Sequence, residues 1–342
     1  MTEKKFEQLD GLRFFAVFLV LIEHWGGWFK IYLGPYNPGG KGVDLFFVLS
    51  GFLITLGLFK GKERGVKKGT ILSKFYIKRS LRIFPIYYLA LLVFYVFFRS
   101  ATQDGLLWYL FYAANFYNIK IGGWRGWSHL WSLSVEEQFY LVWPFVICFL
   151  PDKREILFMS LAVIGSFFFG MYFNLSHQPL VAAIHPLSCL QALGMGGILA
   201  YFYLFHKDEI RRLFFKPWFV AGIIFQLIIV LYLNRSLMDS PLSNGLVRLS
   251  YSIFCAWLIG RAVFGFSGIV GYILELSILR YIGRISYCIY LIHPVVPTLL
   301  SLSPKVNYNI IFAINFVITV GIASISWYLI ESPILKFKER FE

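Results

Sequence analysis

Residues 309–330, NIIFAINFVITVGIASISWYLI, run their whole length without Asp, Glu, Lys or Arg. Coiled as a helix at 1.5 Å per residue the stretch is about 33 Å long, which matches the ~30 Å hydrocarbon core of a bilayer. Working outward from it, similar apolar runs are found at 9–28, 43–59, 81–99, 129–150, 156–174, 181–205, 217–233, 244–264 and 285–302. The pattern predicts an all-α integral membrane protein of about ten transmembrane helices. Composition agrees: 58% of residues are hydrophobic and 15% charged, where soluble domains average roughly 45–50% apolar. A water-soluble core has no room for that much apolar surface.

The chain carries 32 Lys and Arg against 18 Asp and Glu, a net charge of +14. Nucleic-acid binding needs such charge gathered on a soluble face, whereas here it sits between apolar runs, so the expected partner is the lipid bilayer and no nucleic acid. Lys60 to Arg82, Lys207 to Lys216, Arg280, Arg284 and Lys336 to Arg340 fall in alternate connections, with Lys4 and Lys5 ahead of the first run. The positive-inside rule then puts both termini in the cytoplasm and the protein in the plasma membrane as a multi-pass chain.

Met1 to Trp28 lacks a small-x-small cleavage site and carries Arg13, Glu23 and His24, so it reads as a retained first helix. The aromatic stretch 106–127 is short and broken by glycine, which suits an outer loop or a re-entrant segment. Cys148, Cys189, Cys255 and Cys288 lie in apolar runs without paired spacing, so they are expected as buried hydrophobes, and no metal site is expected. Gly194, Gly196 and Gly197 read as a close helix contact. No repeat, linker or appended domain interrupts residues 1–342, which are expected to form a single transmembrane domain with no fused extracytoplasmic part.

Ionisable groups inside a span each cost about 2.5 to 3.5 kcal/mol on insertion scales, so they need partners or a task. Arg13 stands near the cytoplasmic end of the first helix, and His24, eleven residues on, lies ~16 Å further out. Helix 129–150 starts outside at His129 and puts Glu136 ~10 Å below the outer edge. Asp44 opens helix 43–59 from the same side. His24, Asp44, His129 and Glu136 are thus expected at one depth, and an imidazole beside a carboxylate is the usual apparatus for taking a proton from a hydroxyl. Each has a structural reading too, as a helix-bridging polar group. Arg79 and Arg82, three positions apart before the third helix, either mark the cytoplasmic side or offer two guanidinium forks to phosphate, with Arg13 near them.

Six stretches, in order, carry a resemblance: LDGLRFFAVFLVLIEHW (9–25), GVDLFFVLSGFLI (42–54), FYIKRSLRIFPIYYL (75–89), HLWSLSVEEQFYLVWP (129–144), GRISYCIYLIHP (283–294) and SWYLIESP (326–333). Together they resemble the membrane acyltransferase-3 family of bacterial envelope O-acyltransferases, from about residue 9 to 335. The family's Arg-x(10)-His falls on Arg13 and His24, its Arg-x-x-Arg on Arg79 and Arg82, and its Ser-x-x-x-Glu on Ser132 and Glu136. The resemblance implies acyl transfer, most often acetyl, from cytoplasmic acyl-CoA to a hydroxyl of an envelope glycan, glycolipid or lipid-linked sugar. Acyl-CoA is then a co-substrate and no bound cofactor is implied.

On that reading Arg13, Arg79 and Arg82 bind the phosphates of the acyl-CoA. His24 takes the acceptor's proton or carries the acyl group itself, with Asp44 or Glu136 positioning the ring. Ser132 orients Glu136 or acts as a nucleophile, and His129 supports the group. Tyr287, Tyr290, His293 and Glu331 match further family stretches, with packing or pore lining as the simpler role. The alternative from another class is a multi-pass transporter that uses the buried His, Glu and Arg groups as an ion or proton pathway; the halves of the sequence show no correspondence that would support it. A structural subunit is a third reading, in which the same groups only bridge helices.

Overall fold

The structure is a computed structural model that describes residues 6–26, 37–151, 154–236, 241–300 and 307–338. Lys4, Lys5 and Arg340, and the last two residues of each of the runs 9–28 and 285–302, lie outside them. Every regular element among the described residues is helical. In chain order the longer ones are α1 (Glu7–Trp25), α2 (Pro38–Glu63), α3 (Lys68–Phe97), α4 (Ala114–Ile121), α5 (Leu130–Phe149) and α6 (Glu155–Leu175). They continue with α7 (Pro186–Phe205), α8 (Lys207–Phe214), α9 (Pro217–Ser236), α10 (Pro241–Phe264), α11 (Gly268–Glu275), α12 (Ser277–Arg284), α13 (Ser286–Ile292) and α14 (Tyr308–Ser326).

Proline marks where many of these helices begin. Pro38, Pro186, Pro217 and Pro241 each open one, at the position where the missing N–H is not needed and the fixed φ already suits the helix. Pro85 and Pro144 instead sit inside α3 and α5, as membrane helices tolerate better than soluble ones. At the far end of the chain, Asn307 starts α14 by accepting the Asn309 N–H at 2.9 Å.

Among the described residues, six helices are long and apolar enough to cross a membrane: Pro38–Glu63, Lys68–Phe97, Glu155–Leu175, Pro179–Phe205, Gly245–Phe264 and Tyr308–Lys336. A seventh results if Lys207–Phe214 and Pro217–Tyr232, bent by 69° at their junction, count as one span. This multi-pass, all-helical membrane architecture is coarser than the ten spans expected, for identifiable reasons. α1 is 19 residues long but holds Glu7, Asp10, Arg13 and Glu23. α5 carries Glu136, Glu137 and Gln138 in succession. The run 285–302 breaks at His293 and Pro294, between α13 and the short helix Val295–Leu300.

Contacts divide the chain into two compact units. Unit one comprises Met1–Val43, Lys74–Arg99 and Gly265–Glu342; unit two comprises Asp44–Ser73 and Ser100–Phe264.

In unit one, α1 packs on α11 and α12 at near backbone contact. A Cβ on Gly283 would strike the carbonyl oxygen of Asp10, and one on Gly11 would strike that of Leu274. Gln8 ties this joint with its amide, donating to Glu275 Oε1 at 2.7 Å and to the Phe266 carbonyl at 3.0 Å while accepting the Phe266 N–H at 2.8 Å. Arg280 pairs with Glu7 at 2.9 Å. The connection 265–284 is thus a pair of helices that seat α1.

In unit two, α2 and α7 meet as closely, since a Cβ on Gly196 would strike the Val48 carbonyl. The expected close contact at Gly194, Gly196 and Gly197 is what the structure has, and Trp143 of α5 closes it by donating to Thr55 at 2.8 Å. All four cysteines are buried and unbridged. The stretch 106–127 folds as short helices laid on the start of α5, where Gln138 donates to the Tyr112 carbonyl at 2.8 Å and Ser134 accepts the Ala114 N–H at 3.1 Å. Trp127 donates its backbone N–H to the Tyr109 hydroxyl and its indole to Thr102. Burial pushes the Tyr109 phenol up to about 12, so it remains a neutral strut through the physiological range.

Candidate functional site

The expected site residues fall in both units: Arg13, His24, Arg79 and Arg82 in unit one, and Asp44, His129, Ser132 and Glu136 in unit two.

Within unit one, Arg13 and His24 share α1. At 100° per residue, eleven positions return to within about 20° of the same face, so both side chains leave the helix in one direction. Arg13 is held by Asp10, one turn earlier, through a 2.6 Å ion pair that leaves most of its N–H donors for other acceptors. His24 is exposed, and its Nδ1 lies 2.9 Å from the Val20 carbonyl. A carbonyl oxygen only accepts, so Nδ1 carries the hydrogen and Nε2 is the nitrogen at which a proton is gained or lost.

The His24 ring meets the ring of His293 edge to face, with centroids 4.7 Å apart and planes at 67°. His293 is fully buried and makes the same kind of bond, Nδ1 to the Tyr290 carbonyl at 2.6 Å. Its own carbonyl accepts the Trp25 indole N–H at 3.1 Å. α1 and the α13 break are thus locked beside the exposed imidazole.

Arg79 and Arg82 were expected ahead of the third helix. They lie inside it instead, because α3 already begins at Lys68 and extends 30 residues. Their i, i+3 spacing keeps them neighbours on one face. The Arg79 guanidinium stands 5.8 Å from the Phe75 ring centroid. One residue past Arg82, the Ile83 carbonyl accepts a bond from the Tyr287 hydroxyl at 3.4 Å. Arg82 also acts electrostatically on Glu331, a buried carboxylate in the π-helical turn Trp327–Glu331 that accepts a hydrogen bond from Ser326 at 3.2 Å. π turns inside α-helices recur at functional positions. The two late stretches, 283–294 and 326–333, thereby converge on the arginine stretch.

Within unit two, Asp44 lies two turns inside α2, because that helix begins at Pro38. Its Oδ1 accepts from Arg248 Nε at 3.1 Å and Nη2 at 3.0 Å. Arg248 also donates to the Ala183 carbonyl at 3.0 Å and to Cys189 Sγ at 3.4 Å, which makes a buried clamp between α2, α7 and α10. Glu136 accepts a short bond from the Ser50 hydroxyl at 2.6 Å, and Tyr140 donates to the same Ser50 oxygen at 3.2 Å. A hydroxyl has one hydrogen to give, so the direction is fixed as Tyr140 to Ser50 to Glu136. Ser132 donates to the His129 carbonyl at 3.4 Å, and the ring of His129, buried at the mouth of α5, meets that of Trp127 at 82°.

Sequence reasoning passed over Ser50, Arg248 and Tyr140. Ser50 lies in one of the recognised stretches, and Arg248 was a basic residue inside an apolar run, which was the available signal for a buried partner.

The family model described as an acyltransferase domain matches residues 6–330. The O-acetyltransferase OatA of Staphylococcus aureus (strain NCTC 8325 / PS 47) is 28% identical over 360 residues, covering 96% of this chain and 57% of that protein. The peptidoglycan O-acetyltransferase OatA of Listeria monocytogenes is 32% identical over 182 residues, covering 48% of this chain and 28% of that protein. The chain therefore spans little more than half the length of the curated Staphylococcus relative it matches. No solved structure matches it.

Proposed function

Because this chain belongs to the acyltransferase-3 family, we propose that it transfers an acyl group, acetyl in the first instance, from cytoplasmic acyl-CoA to a hydroxyl of a cell-envelope glycan or glycolipid. The observation that carries the reading is the Nδ1 bond of His24 to the Val20 carbonyl, which turns Nε2 of an exposed imidazole into the basic nitrogen. A glycan acceptor is favoured by the peptidoglycan named for the Listeria relative.

In the direct route Nε2 removes the acceptor hydroxyl proton as the oxygen attacks the thioester carbonyl. The C–S bond then breaks, and the thiolate of CoA leaves and takes that proton from the imidazolium. In the relay route Nε2 itself attacks the thioester and expels CoA as its thiolate, and in a second step the hydroxyl oxygen takes the acyl group from Nε2 while its proton neutralises the thiolate. Arg13, Arg79 and Arg82 bind the phosphates of the donor as bidentate forks. Glu136, poised by Ser50, supplies the carboxylate of the reaction, with Ser132 and His129 supporting its helix. Asp44, committed to Arg248, holds α2, α7 and α10 together. The chain crosses the plasma membrane about ten times with both termini in the cytoplasm, a reading supported by the alternation of its basic clusters.

The test is transfer of radiolabel from acetyl-CoA to total envelope glycans, using membranes that contain wild type, His24→Ala or Arg79→Ala at matched abundance. Loss of at least about a hundredfold is expected for His24→Ala, the usual size of general acid–base catalysis. For Arg79→Ala a raised KM for acetyl-CoA is expected. Undiminished transfer by His24→Ala would falsify the base assignment.

A further inference from the structure

His24 does not stand alone in unit one: a second imidazole is built against it. His293 is 0% exposed, and three polar contacts fix its place. Nδ1 donates to the Tyr290 carbonyl at 2.6 Å, the His293 carbonyl accepts from Trp25 at 3.1 Å, and the ring meets His24 at 4.7 Å and 67°. Trp25 is the residue after His24, so the partner ring is anchored to the same turn of α1 that carries the base. The Tyr290 ring lies 5.6 Å from His293 on its other side. The break between α13 and Val295–Leu300 falls at His293 and Pro294.

We propose that His293 is a positioning residue for His24, holding the imidazole by ring contact and stabilising the imidazolium that forms when His24 takes up a proton. The inference rests on His24 being the proton-handling residue. An aromatic ring within about 6 Å of a cation is attractive, and the attraction strengthens where water is excluded. The contact therefore matters more once His24 is charged than before, which is the condition for accelerating a chemical step instead of merely binding substrate.

Two substitutions separate the ring from the local hydrogen bond. His293→Asn keeps an N–H that can reach the Tyr290 carbonyl and removes the ring; His293→Phe keeps a ring and removes the N–H. Each is measured in acetyl-CoA-dependent label transfer at matched abundance, with thermal unfolding followed in detergent and His24→Ala run alongside. The expected result is a kcat roughly fivefold lower for His293→Asn with unchanged KM for acetyl-CoA, the scale of a cation–ring contact at an exposed site. For His293→Phe, kcat within about threefold of wild type is expected. A folded His293→Asn with wild-type kcat overturns the proposal, as does a folded His293→Phe that loses roughly fivefold or more, so either variant decides the matter if the other does not accumulate. A failed parent reading looks different, because His24→Ala then keeps its activity whatever the His293 variants do.

Discussion

At the scale of single residues, Ser50 shows what sequence reading finds and what it misses. Lipid rejects ionisable side chains, so Arg13, His24 and Glu136 stand out inside apolar runs as candidates. Serine is tolerated in a membrane helix, so nothing in the sequence sets Ser50 apart from its neighbours. Its importance comes from a 2.6 Å bond to a residue 86 positions away. Hydrogen bonds to charged groups contribute about 1.5 to 3 kcal/mol. Ser50→Ala is therefore expected to lower label transfer about tenfold, close to the effect of Glu136→Gln, with Tyr140→Phe milder because it acts one bond further away. Full activity in Ser50→Ala would remove Glu136's support from the mechanism. Asp44 adds a second case, since its pairing with Arg248 across 204 residues is not readable from one sequence.

At the scale of elements, the apolar runs located the long helices well. What they did not show was that charged residues at helix ends do more than signal topology. Lys62, in the last turn of α2, is ion-paired to Glu155 at 2.6 Å, with the two side chains 15% and 6% exposed. It also lies 3.3 Å and 3.4 Å from the carbonyls of Ile147 and Leu150 at the end of α5. The ammonium thus faces the negative end of one helix dipole while its partner sits in the first turn of α6. Lys62→Ala leaves the Glu155 charge buried alone and is expected to cost about 3 to 5 kcal/mol, while Lys62→Met combined with Glu155→Leu recovers most of it. Thermal unfolding in detergent checks both; a double variant as unstable as the single would show that the pair adds net stability of its own. The helices α11 and α12 were missed for another reason. At eight residues each they are too short for a lipid signature, and Arg280 and Arg284 made them look like a loop.

At the scale of the whole molecule, the class of protein was legible because hydropathy is a bulk property, whereas the count of spans was not. α1 and α5, which are not apolar enough to stand among the six, carry His24 and Glu136, so the groups proposed for proton transfer also make their helices less apolar. Orientation can be tested directly. With the native cysteines buried, a membrane-impermeant maleimide is expected to label Arg125→Cys in intact cells and Arg64→Cys only after permeabilisation. The reverse pattern would invert the topology and move the donor arginines to the outer face. The division into two units was not legible either, since each draws on segments far apart in the chain.

The joint between α1 and the α11–α13 region sets an order of events during synthesis. Gly11 and Gly283 meet their partners' backbones directly, and His24 meets His293. α1 therefore waits for residues made about 270 positions later in the chain. At about 5–20 residues per second, that wait is on the order of 10 to 50 s. Throughout it, a helix bearing Glu7, Asp10, Arg13 and Glu23 must stay in or beside the insertion machinery without its final neighbours. Weakening this late joint should thus lower the yield of inserted protein before it changes the activity of whatever protein survives.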